Sequence, residues 1–132
     1  MNGRTMVDCV FCHIRANTTN YIAQNSDFFC VFDIHPVSDG HALLIAKRHT
    51  PSFFDLSKDE LQSLFDIAKK TKSILDQKFH PDAYNLGIND GSAAGQLIPH
   101  FHVHLIPRKT GDYKGSIEQW KKGSPSRGTS AR

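Results

Sequence analysis

Ile98-Pro99-His100-Phe101-His102-Val103-His104-Leu105-Ile106-Pro107-Arg108 is the stretch on which the reading of this 132-residue chain turns. In an extended strand side chains alternate faces and each residue rises ~3.3 Å, so His100, His102 and His104 share one face at ~6.6 Å steps. Phe101, Val103 and Leu105 take the other face, which is suited to packing on a helix. The row of imidazoles is left to meet solvent or a pocket. Upstream runs Asn89-Asp90-Gly91-Ser92-Ala93-Ala94-Gly95-Gln96, whose small residues let backbone amides approach an anion closely. Alone it reads as a hairpin loop; beside imidazoles it suits phosphate.

Three chemistries compete for the histidine row. The rings can be structural, satisfied by backbone groups. They can share a catalytic zinc, with water in the open position. Or a neutral imidazole can attack phosphorus while its other nitrogen is held by a carbonyl or a neighbouring ring. The small-residue loop favours the third.

Around this strand the chain shows four more short β-branched or aromatic segments, Tyr21–Gln24, Phe28–Asp33, His41–Ala46 and Ala83–Asn89, separated by turn residues. One long helix is announced by Ser57-Lys58-Asp59-Glu60, in which Ser57 caps the start and Glu60 reaches back to the Ser57 amide. Leu61, Leu64, Phe65, Ala68, Leu75 and Phe79 recur at helical spacing as its inner face, and His80-Pro81 ends it. The expected class is α+β: a five-stranded antiparallel sheet with one long amphipathic helix and short helices.

Composition sets the bounds. With 39% hydrophobic and 22% charged residues and a mean hydropathy of −0.41, the profile is that of one soluble domain. No apolar run has the length of a membrane span or a signal peptide, so a cytoplasmic protein without membrane contact is expected. A net charge of +3, much of it in Lys121, Lys122, Arg127 and Arg132, gives little support to nucleic-acid binding. Residues 123–132 contain no apolar side chain larger than Ala131 and are expected to be disordered. Three cysteines fit a reducing compartment. Cys9 and Cys12 form C-x-x-C, half of a tetrahedral zinc site, and Cys30 reads as a small buried hydrophobe.

The motif His100-Phe101-His102-Val103-His104-Leu105-Ile106 resembles the H-φ-H-φ-H-φ-φ signature of the histidine-triad (HIT) superfamily. Asn89, Gly95-Gln96, Pro107-Arg108 and Asp39-Gly40-His41 fall where members of that family carry comparable residues, and the resemblance runs from about Asp8 to Asp112. Residues 8–112 are thus expected to form a HIT domain, followed by an extension over 113–122. What the resemblance implies is a nucleotide hydrolase acting at a nucleoside α-phosphate, with His102 as nucleophile in a transient nucleotidyl-histidine. His100, His104 and His41 would surround the phosphate, and no Mg²⁺ is called for. Asn89, Gln96 and the Leu97 amide would meet phosphate oxygens or the leaving group; many members carry Ser or Thr where this chain has Leu97. The family position for a ribose-binding carboxylate falls on Asp33, and those for apolar contacts to a purine base fall on Val10, Phe11, Ile14 and Ile34.

A subset of the family also pairs such a C-x-x-C with two histidines, which here are His49 and His100. That resemblance implies a structural zinc held by Cys9, Cys12, His49 and His100. It also implies a homodimer joined edge to edge. Residues 107–112 are similar to the branch that cleaves dinucleoside polyphosphates, whereas the segment around Trp120 does not align with the C-terminal segments of the phosphoramidate branch. The rival from another class is a nucleotide-binding interaction protein with weak or no turnover.

Overall fold

The computed structural model describes residues 9–17 and 20–112. The extension over 113–122 and the tail over 123–132 lie outside the described residues. The elements run α1 (Val10–Asn17), β1 (Ala23–Gln24), β2 (Phe28–Phe32), β3 (Ala42–Ala46), a 3₁₀ turn (Phe53–Asp55), α2 (Lys58–Phe79), β4 (Ala83–Gly87), a second 3₁₀ turn (Ser92–Ala94) and β5 (His102–Arg108). The strands form one antiparallel sheet in the order β1-β2-β3-β5-β4. This is the expected α+β architecture.

The two faces of the sheet are closed by different segments, which is why β2 (FFCVF) and β3 (ALLIA) are apolar throughout rather than alternating. On one face Phe28, Cys30, Leu44, Phe101, Val103 and Leu105 pack against Ile67 and Leu75 of α2. On the other, Phe29, Val31, Leu43 and Ile45 pack against Cys9 and Phe11 at the start of α1. The inward face of β5 is thus the apolar one expected, and its histidines share the α1 side of the sheet. Cys30 is fully buried and its thiol is pushed up to about 12 by that burial, so it serves as packing.

Helix α2 starts as its sequence dictates. Ser57 accepts from the Glu60 amide and Glu60 accepts from the Ser57 amide, a complete capping box. Glu60 also takes two hydrogen bonds from Arg48, which hold its carboxyl down at about 2 and tie the segment after β3 to the helix. The end differs in detail: His80 does not turn to extended backbone before Pro81 but takes the left-handed conformation (φ 51°) and donates to the Asp76 carbonyl.

The buried face of α2 is narrower than its apolar stripe. Ile67, Thr71 and Leu75 are its buried residues, while Leu61 is 37% and Phe65 58% exposed. The apolar stripe is wider than the sheet it covers, because β4 ends the sheet and leaves the overhanging side chains uncovered.

The turn between β2 and β3 is set by Gly40 (φ 88°). A Cβ there would approach the Phe79 ring to 2.8 Å and Pro107 to 3.2 Å. Glycine is required both for the positive φ and for the contact between this turn, the end of α2 and β5. It delivers His41 to the head of β3, directly before Ala42, whose partner on β5 is Leu105.

Candidate active site and metal cluster

His102 and His104 stand opposite Ile45 and Leu43 of β3, and all four imidazoles, His41 included, are buried, none exposed by more than 9%. Burial leaves little rotational freedom, so the hydrogen bonds decide what each nitrogen can do. The Nδ1 of His102 lies 2.8 Å from the His100 carbonyl, an acceptor only, so the proton resides on Nδ1 and the lone pair on Nε2. The Phe11 ring meets the His102 ring edge-on at 4.7 Å and backs the imidazole. His104 follows at 5.3 Å between ring centroids, and its Nδ1 lies 2.9 Å from His41 Nε2.

His100 points elsewhere. Its Nε2 donates to the Ala46 carbonyl (2.7 Å), which leaves the Nδ1 lone pair facing Cys9 Sγ at 3.2 Å, Cys12 Sγ at 3.6 Å and His49 Nδ1 at 3.1 Å. Cys12 Sγ is also 3.3 Å from His49 Nδ1. Ions bound through two thiolates and two imidazoles at ordinary zinc bond lengths have donor-to-donor edges of roughly 3.3–3.8 Å. The observed edges run close to these lengths and all four donor atoms lie within 4.8 Å of one another, so the four side chains could hold a metal ion. Burial pulls the His100 ring down to about 4, so it is neutral at neutral pH and its Nδ1 lone pair could serve an ion. Burial, with the neighbouring Cys9, pushes the Cys12 thiol up to about 11, so a positive ion is what would hold it as thiolate. The cluster links α1, the segment after β3 and the residue that begins the histidine row.

The loop before β5 is more self-contained than expected. The amides of Gly91, Ala94, Gly95 and Gln96 are spent inside it, on the Gln96 side chain, the Gly91 and Ser92 carbonyls and the Gly91 carbonyl again. Gln96 Nε2 donates to the Pro51 carbonyl, and Asp90 accepts from Ser52 Oγ and the Phe53 amide, so the loop is clamped to the segment after β3. Asp90 reads in the sequence only as turn punctuation; an acid followed by glycine carries no local sign of a partner 38 residues upstream. Asn89 is half-buried with its amide 3.7 Å from the place of a Cβ on Gly95, and Leu97 is 60% exposed.

The expected nucleoside contacts are dispersed. Phe11 is buried behind the histidines, Ile14 packs on the same core, and Val10 and Ile34 are 45% and 81% exposed. Asp33 is buried: Oδ1 accepts from the His35 amide and Oδ2 lies 3.5 Å from His41 Nε2. The side chains of His13, His35 and His80 are exposed.

Comparison with known proteins gives a consistent family. A family model described as "HIT domain" matches residues 15–111. The chain is 36% identical over 110 residues to an uncharacterized HIT-like protein, MG132, of Mycoplasma genitalium, covering 82% of this chain and 78% of that one. It is 42% identical over 81 residues to a bis(5'-nucleosyl)-tetraphosphatase (asymmetrical) of Schizosaccharomyces pombe, covering 61% of this chain but only 44% of the relative. Among solved structures, a Zn-bound histidine triad family protein from Mycobacterium smegmatis superposes with a TM-score of 0.73 at 31% identity, covering 83% of this chain and 81% of that one.

Proposed function

The chain belongs to the HIT-domain family, and from that premise we propose that it is a nucleotide hydrolase that works through a nucleotidyl-histidine on His102. The observation that carries the reading is the 2.8 Å hydrogen bond from His102 Nδ1 to the His100 carbonyl, which leaves Nε2 as the nucleophilic nitrogen. In the first step Nε2 bonds to the α-phosphorus of a nucleotide and the bond from phosphorus to the leaving phosphate or amine breaks. In the second, water bonds to phosphorus, the P–N bond breaks, and a nucleoside monophosphate departs. Two moderate displacements replace one difficult one. His104, its Nδ1 turned to His41, presents its other nitrogen to charge growing on the phosphate oxygens. In this reading Asn89 and the Leu97 amide meet the leaving group, Gln96 braces the loop that carries them, and the exposed Val10 and Ile34 give apolar contact to a purine. The scheme calls for no Mg²⁺.

For the substrate class, the names of relatives lend support. A tetraphosphatase at 42% identity supports a dinucleoside polyphosphate over a phosphoramidate. The test is direct: incubation with diadenosine tetraphosphate and, separately, with an adenosine phosphoramidate, following nucleotide products. AMP is expected from both and faster from the first. Product from neither would leave a nucleotide-binding interaction protein.

Two further features belong to the same reading. Zinc is the metal that the Cys9, Cys12, His49 and His100 set suits, and with all four positions filled by protein its role is to tie segments together rather than to activate water. A homodimer is supported by β4, an edge of the sheet, which lies beside exposed Leu61, Phe65, Leu86 and Ile88 around a groove of about 320 Å³. Among the described residues β4 has no further strand on its outer side, and such an edge next to apolar side chains is a surface that a second copy can extend across. Leu86→Asp with Ile88→Asp is expected to convert the dimer to monomer in sedimentation equilibrium at micromolar concentration; an unchanged mass would place any interface elsewhere.

A further inference from the structure

The loop before β5 carries two glycines of positive φ, Gly91 (95°) and Gly95 (94°), so its own backbone does little to restrict it. Two side chains at its ends do so instead, and the inference drawn from them rests on the nucleotidyl-histidine reading. At the first end the Phe53 amide donates to Asp90 Oδ2 at 2.8 Å. The Ser52 hydroxyl donates to the same carboxylate, 3.1 Å from Oδ1 and 3.0 Å from Oδ2. That hydroxyl also accepts from the Phe54 amide, which leaves its proton for Asp90. At the second end Gln96 accepts from the Gly91 amide at 2.7 Å and donates to the Pro51 carbonyl at 2.9 Å.

Both ties end on one short segment, and that segment is joined to the histidine strand. The Thr50 carbonyl accepts from the Phe101 amide at 2.6 Å, and the Phe53 ring lies 6.1 Å from the Phe101 ring. Phe101 stands between His100 and His102, so residues 50–53 sit in a fixed relation to the histidine row. The neighbours of the two anchoring side chains give the ties their meaning. Asn89 directly precedes Asp90, and Leu97 directly follows Gln96. The Asn89 amide lies 3.7 Å from the place of a Cβ on Gly95, so the loop folds back on itself between the ties.

A carboxylate suits the first tie. Hydrogen bonds to an ionised acceptor are roughly twice as strong as neutral ones, and donors from two consecutive residues fix both the distance and the direction of the side chain. We propose that Asp90 is a positioning residue for the leaving group: by fastening the loop to Ser52 and Phe53 it sets Asn89 and the Leu97 amide at a fixed distance from His102. Its contribution is then specific to leaving groups that carry phosphate oxygens for those N–H groups to meet.

Two adenylyl compounds that share attack by His102 separate this role from a general loss of structure. Diadenosine tetraphosphate releases a polyphosphate; the p-nitrophenyl ester of AMP releases an aryl oxide, which departs without N–H donors. The kcat/KM covers the steps up to departure of the leaving group. In Asp90→Ala it is expected to fall about 10- to 100-fold for the first compound and by no more than about 3-fold for the second. Asp90→Asn is expected to stay within about 5-fold of wild type on both, since its oxygen can take the Phe53 amide and its NH₂ can donate to Ser52 Oγ. Equal losses on the two compounds, or an Asn variant as slow as the Ala variant, would overturn the proposal. Amide hydrogen exchange reads the loop without any substrate. The Gly91 and Gln96 amides are expected to exchange at least about 10-fold faster in Asp90→Ala, and unchanged exchange would also overturn it. Should Asp90→Ala not fold, Ser52→Ala carries the same comparison, with a smaller loss confined to the tetraphosphate; equal losses there have the same consequence. Should the wild type release AMP from neither compound, the hydrolase reading falls, and the exchange rates still decide whether Asp90 holds the loop.

Discussion

Replacing His102 by Asn is expected to lower kcat by about 10³- to 10⁶-fold while AMP binding, measured by calorimetric titration, stays within a few-fold of wild type. The size follows from the role: the side chain forms and breaks a covalent bond, so no neighbouring group can stand in for the missing nitrogen nucleophile. Asn is the better variant than Ala because its amide can still donate to the His100 carbonyl, the acceptor that His102 Nδ1 uses. His102 is 3% exposed, so Ala would also leave a void against Phe11. His102→Ala is expected to share the loss of turnover with a larger loss of melting temperature. Quenching within the first turnover with alkaline denaturant, in which the P–N bond survives, should trap labelled nucleotide on the wild-type chain and none on His102→Asn. Turnover in the Asn variant within tenfold of wild type, or continued turnover with no label ever trapped, removes the covalent mechanism.

Much of this arrangement is legible in the sequence because it is local. The face taken by each residue of β5 follows from an alternation with a period of two, and the start of α2 from four consecutive residues, Ser57 to Glu60, whose bonds close among themselves. The outward placement of Leu61 and Phe65 was not legible. Helical periodicity marks an apolar stripe but not the width of the sheet beneath it, and that width depends on β4 being an edge. The partners of Asp33 and His41 were hidden for another reason. Asp33 reads as a carboxylate beside a turn; that the turn brings the Val37 amide onto His41, and His41 onto Asp33, depends on backbone angles around Gly40 which no spacing encodes. Cys9 and Cys12 announce half a metal site, but the histidines completing it are 37 and 88 residues away from Cys12, and only the family resemblance pointed to them.

That cluster carries the second large effect. The purified protein is expected to contain one zinc per chain, and its removal by a strong chelator, or the change His49→Ala, is expected to lower the melting temperature by about 10–25 °C. An ion held at a free concentration about a thousandfold above its dissociation constant stabilises the folded state by about 4 kcal/mol, and a domain of this size loses several degrees per kcal/mol. The topology explains why so much stability would depend on one site. Helix α1 lies on the α1-side core through few large side chains, Phe11 foremost, whereas α2 covers its own face with a 22-residue helix. Linking Cys9 and Cys12 to His49 and His100 closes loops across most of the domain and offsets the short helix's limited burial. The contacts of His49 with the histidine row are to His100, outside the pair His102 and His104, so His49→Ala separates stability from chemistry. With a structural ion, kcat measured well below the lowered melting temperature should change far less than stability does. Loss of all turnover at that temperature, restored by adding Zn²⁺ with no change in melting, would mean that the ion acts on substrate, and a melting temperature indifferent to both chelator and His49→Ala would mean that the four side chains hold no metal of consequence.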